Sequence, residues 1–403
     1  MLLIGSGGRE HALAWKLRQS PRLDELHAAP GNPGIAQLGE CHPVRAEDGE
    51  GLLHLARSLT ADLVVVGPEA PLVAGVADEL RHAGVAVFGP SAGAARIEGS
   101  KSFAKDVMRA AGAPTAETLA VARPPCVIKV DGLAAGKGVF VCPDQKTLDE
   151  ALRAAGRLGQ PLVIEELLEG DEVSLFAVAD GRNALALAPA RDYKRIGDGN
   201  TGPNTGGMGA YSPVAELSEQ DVEELLATVH RPVLAELAAR GVPFVGLLYA
   251  GLMLTEAGPK VLEFNCRFGD PETQAILPRV SGDLVETLVA AAEGDLGQDT
   301  LGVTDDAALT VVLAGRDYPE RGDSGTRIDG IAEAEQTALV FHAGTAIHGG
   351  ALVTNGGRIL NVTAVGPTLE EARATAYTAC GLISFDGMQY RRDIGARTAD
   401  VAT

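Results

Sequence analysis

Short apolar runs alternate with helical periods over the first hundred residues. Residues 2–5, 63–67 and 85–89 are compact apolar runs ending at glycine, the pattern of strands buried on both faces. Stretches 10–18, 51–59 and 72–83 carry apolar residues at three- and four-residue spacing, which predicts amphipathic helices between those strands. Strand, helix and strand in succession predict a parallel β-α-β module with right-handed crossovers and a ligand end at the strand C-termini. A further helix is expected over 100–111, ended by Gly112-Ala-Pro114.

From about residue 125 the texture changes to strand, glycine loop, strand: 126–130, then 131–138, then 139–142. A helix near 148–155 and strands near 162–166 and 172–179 follow. Residues 191–213 are rich in Gly, Asn and Thr and predict a long loop, which inside a compact domain is functional or disordered. Beyond it the pattern predicts a long helix over about 219–239, paired strands at 245–254 and 260–265, and a helix near 283–292. From about residue 309 a strand-rich tail carries turns at Asn355-Gly-Gly357 and Asp386-Gly387.

Composition narrows the class. A chain of 403 residues, 46% hydrophobic and 22% charged, is globular and long enough for two to four domains. No apolar run approaches the ~18–20 residues of a membrane span, and the first residues read as a strand rather than a leader. The formal net charge of −20 argues against nucleic acid as a partner. An anionic small molecule needs only a local cluster of cations. Lysine is scarce, with eight residues in the chain, yet Lys101, Lys105, Lys129, Lys137 and Lys194 crowd into one stretch where a compact charge suits a phosphate. Five cysteines with no C-x-x-C pair predict neither a disulfide framework nor a zinc knuckle, and point to a reducing, cytoplasmic compartment.

Several stretches carry chemistry. Gly5-Ser-Gly-Gly-Arg-Glu10 lies where the first strand becomes the first helix, and its backbone N–H groups suit an anion. A dinucleotide fingerprint would need glycine where Glu10 stands, and no acid ends the second strand, so a nicotinamide cofactor is not expected. One phosphate on Gly7, Gly8 and Arg9, with Glu10 near a hydroxyl or amine, fits better; a bare structural turn is the alternative. Asp131-Gly-Leu-Ala-Ala-Gly-Lys-Gly138 lacks the spacing of a P-loop, but as a hairpin between strands it suits a lid, with Lys129 and Lys137 on nucleotide phosphates. Acids at 165–166 and 171–172 flank a strand end whose backbone groups suit an adenine, with Glu172 suited to a ribose; solvated acids flanking a turn are the alternative. Glu263, Asn265 and Arg267 share one face if 263–267 is extended, giving two oxygen ligands for Mg²⁺ and a cation for a carboxylate or phosphate. An edge ion pair with no metal is the alternative there.

A family resemblance joins these pieces. Its runs are GSGGREHALAWKL (5–17), APGNPG (29–34), VVGPEAPL (65–72), GPSAGAARIEGSKSFAK (89–105), VIKVDGLAAGKGV (127–139), DYKRIGDGNTGPNTGGMGAYSP (192–213), YAGLMLTEAGPKVLEFNCRFGDPETQ (249–274), VFHAGTA (340–346), LVTNGGRILNVTAVG (352–366) and ISFDGMQYRRDIG (383–395). In that order they resemble the phosphoribosylamine–glycine ligases, or glycinamide ribonucleotide synthetases, of the ATP-grasp superfamily. Asn200 stands where the family commonly has Asp and is given no role. The first strand is also shorter than relatives usually show, which suggests a trimmed start.

The resemblance implies a multidomain α/β and α+β fold. A parallel-sheet substrate-binding domain would span 1–100, an ATP-grasp core 101–308 with a flexible lid at about 117–189, and a small strand-rich domain 309–403. It implies ATP-dependent ligation of glycine to 5-phosphoribosylamine through glycyl phosphate, the second step of de novo purine synthesis. ATP would lie on Lys105, Lys129, Gly136, Lys137 and Gly138, with Glu165, Glu166 and Leu167 at the adenine and Glu172 at the ribose. Mg²⁺ or Mn²⁺ would sit on Glu263 and Asn265, and Arg267 would be catalytic. Phosphoribosylamine would meet Gly7, Gly8, Arg9, Glu10 and the loop of Asn204, Thr205, Gly206 and Gly207, with Glu69 and Asp192 as further candidates. The expected partners are these small molecules, with no nucleic acid and no membrane, and the expected state is a monomer. Another ATP-grasp enzyme on a purine precursor is the nearest competitor, but the PNTGGMGAY loop counts against it. A non-catalytic ATP-binding regulator would be expected to have lost Glu263, Asn265 or the lid lysines.

Overall fold

Strands β1 (Leu2–Gly5), β2 (His27–Pro30), β3 (Glu40–Cys41), β4 (Val64–Val66) and β5 (Val87–Phe88) form a parallel sheet in the order β3-β2-β1-β4-β5. The structure is a computed structural model describing residues 1–133, 138–297 and 301–396. Alternation along the strands sends Leu2, Ile4, Val64 and Val66 into one hydrophobic core and Leu3, Leu63 and Val65 into a second. Both sheet faces are therefore covered, as unbroken apolar runs require. The helix expected over 72–83 is two, Glu69–Ala74 and Val76–His82, divided at Gly75 with φ +94°.

Strands β6 (Cys126–Val130), β7 (Val139–Cys142) and β8 (Leu162–Glu166) form a small antiparallel sheet with β6 central. The helix Gln145–Gly156 covers it, and Cys126, Ile128, Val130, Leu148 and Ala151 make a separate core. This unit ends at β8. Strand β9 (Asp171–Asp180), which the family resemblance placed within the lid, pairs instead with Val245–Thr255 in a four-stranded sheet. Its residues from Val173 onward are all buried, and a three-stranded lid with one helix has no second face to cover them.

The stretch 191–213 is not a structureless loop. It holds short strands Arg191–Asp192, Arg195–Gly197, Thr201–Asn204 and Gly209–Ser212. The first and last of these extend the C-terminal sheet, whose remaining strands are Ala307–Ala314, Arg358–Gly366 and Leu339–His342. Glycine-rich, polar strands lack the alternation that a period-2 reading detects. In the tail the helix Leu369–Cys380 packs Ala372, Ala376, Ala379 and Cys380 against that sheet; a stripe of alanines is a weak apolar signal. The helix over 219–239 forms but widens at Leu226–His230. Pro232 follows the widened turn and has no N–H to return to the carbonyl four residues back. The five cysteines are free, and among the described residues no helix is long and apolar enough to cross a membrane.

Three of the buried histidines have strongly lowered pKa values. Burial pushes His11 down to about 3, with the neighbouring His342 adding to the shift; burial also lowers His230 and His342, each to about 4. The unfolded chain, with histidine pKa near ~6.5, binds more protons than the folded chain below that pH. Stability should therefore fall as pH drops from about 6.5 towards 4, by up to ~1.4 kcal/mol per pH unit for each group. Denaturant midpoints at pH 7 and pH 5 check this, and His230→Leu should flatten the difference. A midpoint indifferent to pH over that window would contradict it.

Candidate functional site

One buried carboxylate holds two of the lysines that the sequence assigned to ATP. Glu165 on β8 places one oxygen 2.7 Å from Lys105 Nζ and the other 2.7 Å from Lys129 Nζ. Lys105 also donates to Thr115 Oγ1 at 2.9 Å and Ala116 O at 2.7 Å, and Lys129 donates to Leu262 O at 2.7 Å. Glu166 gives its N–H to Glu117 O at 3.0 Å and its carboxylate to Lys260 at 2.7 Å. Leu167 follows directly beyond the end of β8. Gly138 accepts from Val130 N at 2.7 Å at the base of the hairpin; Gly136 and Lys137 lie outside the described residues. The hairpin's other base is Asp131, which accepts from Lys101 N and from Ser102 Oγ, both at 2.6 Å, at the start of the helix Lys101–Ala111.

The edge strand Gly258–Asn265 of the four-stranded sheet carries both expected metal ligands. Glu263 and Asn265 flank Phe264, which is buried, so both acids-and-amide positions fall on the opposite face of Gly258–Asn265. Lys194 pairs with Glu172 and lies 3.9 Å from Glu263 Oε1. Burial opposes ionisation of Glu263, but the charges of Lys194, Lys129, Lys101 and Arg267 outweigh it and hold its pKa below the usual carboxylate value. Asp192 stands beside this group with one carboxylate oxygen buried and lacking a hydrogen-bond partner among the described residues. Burial, eased by Lys194 and reinforced by Glu272, Glu172 and Glu263, pushes its carboxyl up to about 8.

The strand stops at Asn265, so the extended geometry expected over 263–267 does not reach Arg267. Its guanidinium instead turns to Glu69 at 3.1 Å, Glu98 at 3.3 Å and Phe268 O at 3.1 Å. Burial would raise the pKa of Glu69, but Arg267 and Arg9 bring it down to about 2.

The first glycine loop is arranged differently from the sequence reading. Glu10 accepts from Gly7 N at 2.6 Å and pairs with Arg9 Nε at 2.6 Å. It thus fills the helix N-terminus with the chain's own carboxylate, where the pattern left room for a phosphate. Arg9 is buried, donating to Phe268 O at 3.1 Å and lying 4.0 Å from Glu69. A Cβ on Gly8 would collide with the Asn361 carboxamide, so glycine there lets the helix approach the C-terminal sheet.

Beside this loop opens a cleft of about 470 Å³, walled by Ser6, Gly7, Asn32, Asp270, Thr345 and Arg358 among others. Arg358 pairs with Asp270 at 2.7 Å and donates to the carbonyls of Asp270, at 2.8 Å, and Gly206. Gly206 N donates to Tyr318 Oη at 2.8 Å. Thr205 donates to Lys194 O at 2.8 Å and accepts from Gly207 N at 3.0 Å, while Asn204 sits opposite Arg195 in a short ribbon. Gly207 has φ +107° against Pro271, a place no side chain fits. Asn32 donates to Ser6 O at 2.9 Å and His342 O at 2.8 Å, tying the first domain to the last.

Sequence reasoning singled out none of Asn32, Glu98, Asp270 or Arg358 as site residues. Each lies inside a run that carried the resemblance, but its role depends on a partner at least 88 residues away, which spacing cannot reveal.

A small antiparallel sheet with its own core, Lys129 on it and Lys105 on the neighbouring helix sharing Glu165, and a strand bearing Glu263 within reach of the Lys129 charge fit the ATP-grasp class of ligase. Three successive segments match the N domain (1–98), the ATP-grasp domain (99–273) and the C domain (308–397) of phosphoribosylglycinamide synthetase, and the chain belongs to that family. A phosphoribosylamine–glycine ligase of Streptomyces coelicolor is 51% identical over 99% of each chain. The trifunctional purine biosynthetic protein adenosine-3 of Gallus gallus is 45% identical over 98% of this chain and 42% of its own length. A crystal structure of phosphoribosylamine–glycine ligase from Thermotoga maritima matches at a TM-score of 0.84 with 36% identity, covering 98% of this chain and 99% of that one.

Replacing Glu165 by Ala would leave two ammonium groups buried without their shared partner. The expected cost is ~3–5 kcal/mol of stability, read by urea denaturation, with a smaller loss for Glu165→Gln. Unchanged stability in the alanine variant would mean that solvent screens both lysines.

Proposed function

We propose that the chain joins glycine to 5-phosphoribosylamine at the expense of ATP, giving glycinamide ribonucleotide, ADP and phosphate in de novo purine synthesis. The observation that carries this reading is the segment 262–272, which touches both ends of the site. Its Leu262 carbonyl takes Lys129 from the lid, and its Asp270 takes Arg358 at the cleft.

The γ-phosphoryl group passes from ATP to a glycine carboxylate oxygen, forming glycyl phosphate and ADP. The 1-amine of phosphoribosylamine then attacks the glycyl carbonyl, the amide C–N bond forms, and phosphate leaves with the C–O bond. Such chemistry needs alignment and charge neutralisation more than a strong base. Lys105 and Lys129 face the phosphates, and Gly136, Lys137 and Gly138 complete the ATP-binding set on this reading. The strand end from Glu165 to Leu167 meets the adenine, and Glu172 the ribose. ATP-grasp enzymes use ATP with a divalent metal; here Glu263 and Asn265 would hold it, as Mg²⁺ or Mn²⁺. Few protein oxygens backed by lysines suit an ion whose other ligands are phosphate and water, and such an ion offsets charge on the transferring phosphoryl group.

Arg267 orients the glycine carboxylate. Glu69, Glu98 and the Phe268 carbonyl engage three of its five N–H groups, leaving two for the substrate. The unpartnered oxygen of Asp192 suits the glycine ammonium. The 470 Å³ cleft receives phosphoribosylamine, with Gly7 in its wall and Thr205 to Gly207 behind Arg358; Gly8, Arg9, Glu10 and Glu69 shape that wall from within. The enzyme acts as a monomer in the cytoplasm on this reading.

The direct test is ADP release with ATP, Mg²⁺, glycine and freshly made phosphoribosylamine, following product by mass. ADP matched one-to-one by glycinamide ribonucleotide is expected, and turnover with bicarbonate or formate in place of glycine would overturn the acceptor assignment. Arg267→Ala should lower kcat by ~10²–10³ while ATP affinity stays nearly intact; equal loss of ATP binding would reassign the residue to the nucleotide. The KM for glycine should fall as pH rises through about 8, where Asp192 ionises. Asp192→Asn should remove that dependence, and its survival in the variant would place the titrating group elsewhere.

A further inference from the structure

The outer edge of the N-terminal sheet carries a cluster that the ligase chemistry does not use. His27 opens β2 and faces Glu40, which opens β3, and His42 follows directly after β3. Nδ1 of His27 lies 3.1 Å from Nε2 of His42 and 3.8 Å from Glu40 Oε2. The three ligand atoms all fall within 4.8 Å of one another. On the far side of the His27 ring, Nε2 is 3.4 Å from Glu25 Oε2.

We propose that His27, His42 and Glu40 bind a divalent transition-metal ion of the zinc class, with a fourth position open to water. The proposal rests on no part of the functional reading above.

Geometry supports it first. A tetrahedral ion with bonds of ~2.0–2.1 Å sets its ligand atoms ~3.3 Å apart, and the distances of 3.1 and 3.8 Å bracket that edge. Preorganisation supports it next. The His27 ring is largely buried and its centroid lies 5.2 Å from that of His42 at a 40° tilt, so the pair is not two free surface side chains. Glu25 supplies the outer contact that metal-binding histidines habitually make, fixing the tautomer that turns the Nδ1 lone pair inward. Ligand chemistry then selects the ion, because two imidazoles and one carboxylate favour zinc, nickel or copper over magnesium. The Mg²⁺ used with ATP would not compete.

The consequence is structural. Strand β3 is held to β2 by only two register pairs, His27–Glu40 and Ala28–Cys41. A metal bridging His27 to Glu40 and His42 would pin this edge strand. Strand β2 runs on through Pro30 to Asn32 in the cleft wall, so the clip would steady one wall of the cleft without touching substrate.

The test titrates Zn²⁺ alone, without nucleotide, into chelator-treated full-length protein by calorimetry and by competition with a chromogenic chelator. One tight equivalent is expected, unaffected by millimolar Mg²⁺ and retained by Glu263→Gln, together with a rise in Tm. His42→Ala and Glu40→Gln, both at solvent-accessible positions, should abolish the tight equivalent while ligase turnover persists. Glu25→Gln should weaken binding by about 10–100-fold. Absence of saturable binding, or equal binding in His42→Ala, would overturn the proposal and leave a His27–His42 hydrogen bond in its place.

Discussion

Charge burial in an acidic chain is the constraint on which this site depends. Ionised groups leave water only when paired, and a pair that loses one member costs several kcal/mol. The segment 262–272 meets that constraint with partners from every part of the molecule. Leu262 O takes Lys129, Glu263 lies near Lys194, Arg267 takes Glu69 and Glu98, Phe268 O takes Arg9, and Asp270 takes Arg358. Lid, first domain, central strap and C-terminal sheet are thereby keyed to one strand and the turn after it. A chain with net charge −20 can still gather cations locally, because Lys194, Lys129 and Lys101 all act on Glu263.

The same pairing explains why domain boundaries blur. One hydrophobic core contains Leu2 and Val64 of the first domain together with Leu175 and Leu252 of the central sheet, and the strap residues 209–212 complete the C-terminal sheet. Among the described residues the lid has a core of its own. Its ties to the body are polar: Asp131 to the Lys101 helix, Glu166 to Lys260, and Glu165 to Lys105. A unit with its own core and polar ties can move as a body relative to domains locked by shared cores.

Strong periodicity made much of the fold legible in the sequence. Strands 126–130, 139–142 and 162–166 match the structure residue for residue because apolar runs bounded by glycine or polar turns have one reading. The 191–213 strap did not show itself, since Gly and Asn strands are stabilised by backbone pairing with a distant partner. In the site, Glu263 and Asn265 were legible through period-2 geometry. Arg267 was legible as a cation but not in its direction, because the strand ends before it and two acids from other elements, Glu69 and Glu98, capture it. Glu165 shows a different limit. The sequence offered its main chain to adenine, whereas its side chain is what sets the two lysines, and no local pattern distinguishes those uses.

Glu10 shows how one local interaction redirects recognition. A helix start after glycines attracts an anion, and the sequence alone suggests a substrate phosphate there. The third helical position is a glutamate, however, and its own carboxylate reaches the Gly7 amide faster and at higher effective concentration than any solute. Arg9 then completes a buried pair rather than facing solvent. On the proposed reading a phosphorylated acceptor is met in the neighbouring cleft rather than at the helix N-terminus, with Thr345 and Arg358 in the cleft wall. That shift makes the cleft a joint property of the first and last domains, which is why the His342–His11 and Asn32–His342 contacts sit at its back. A cleft built this way forms only when the first and last domains have folded together.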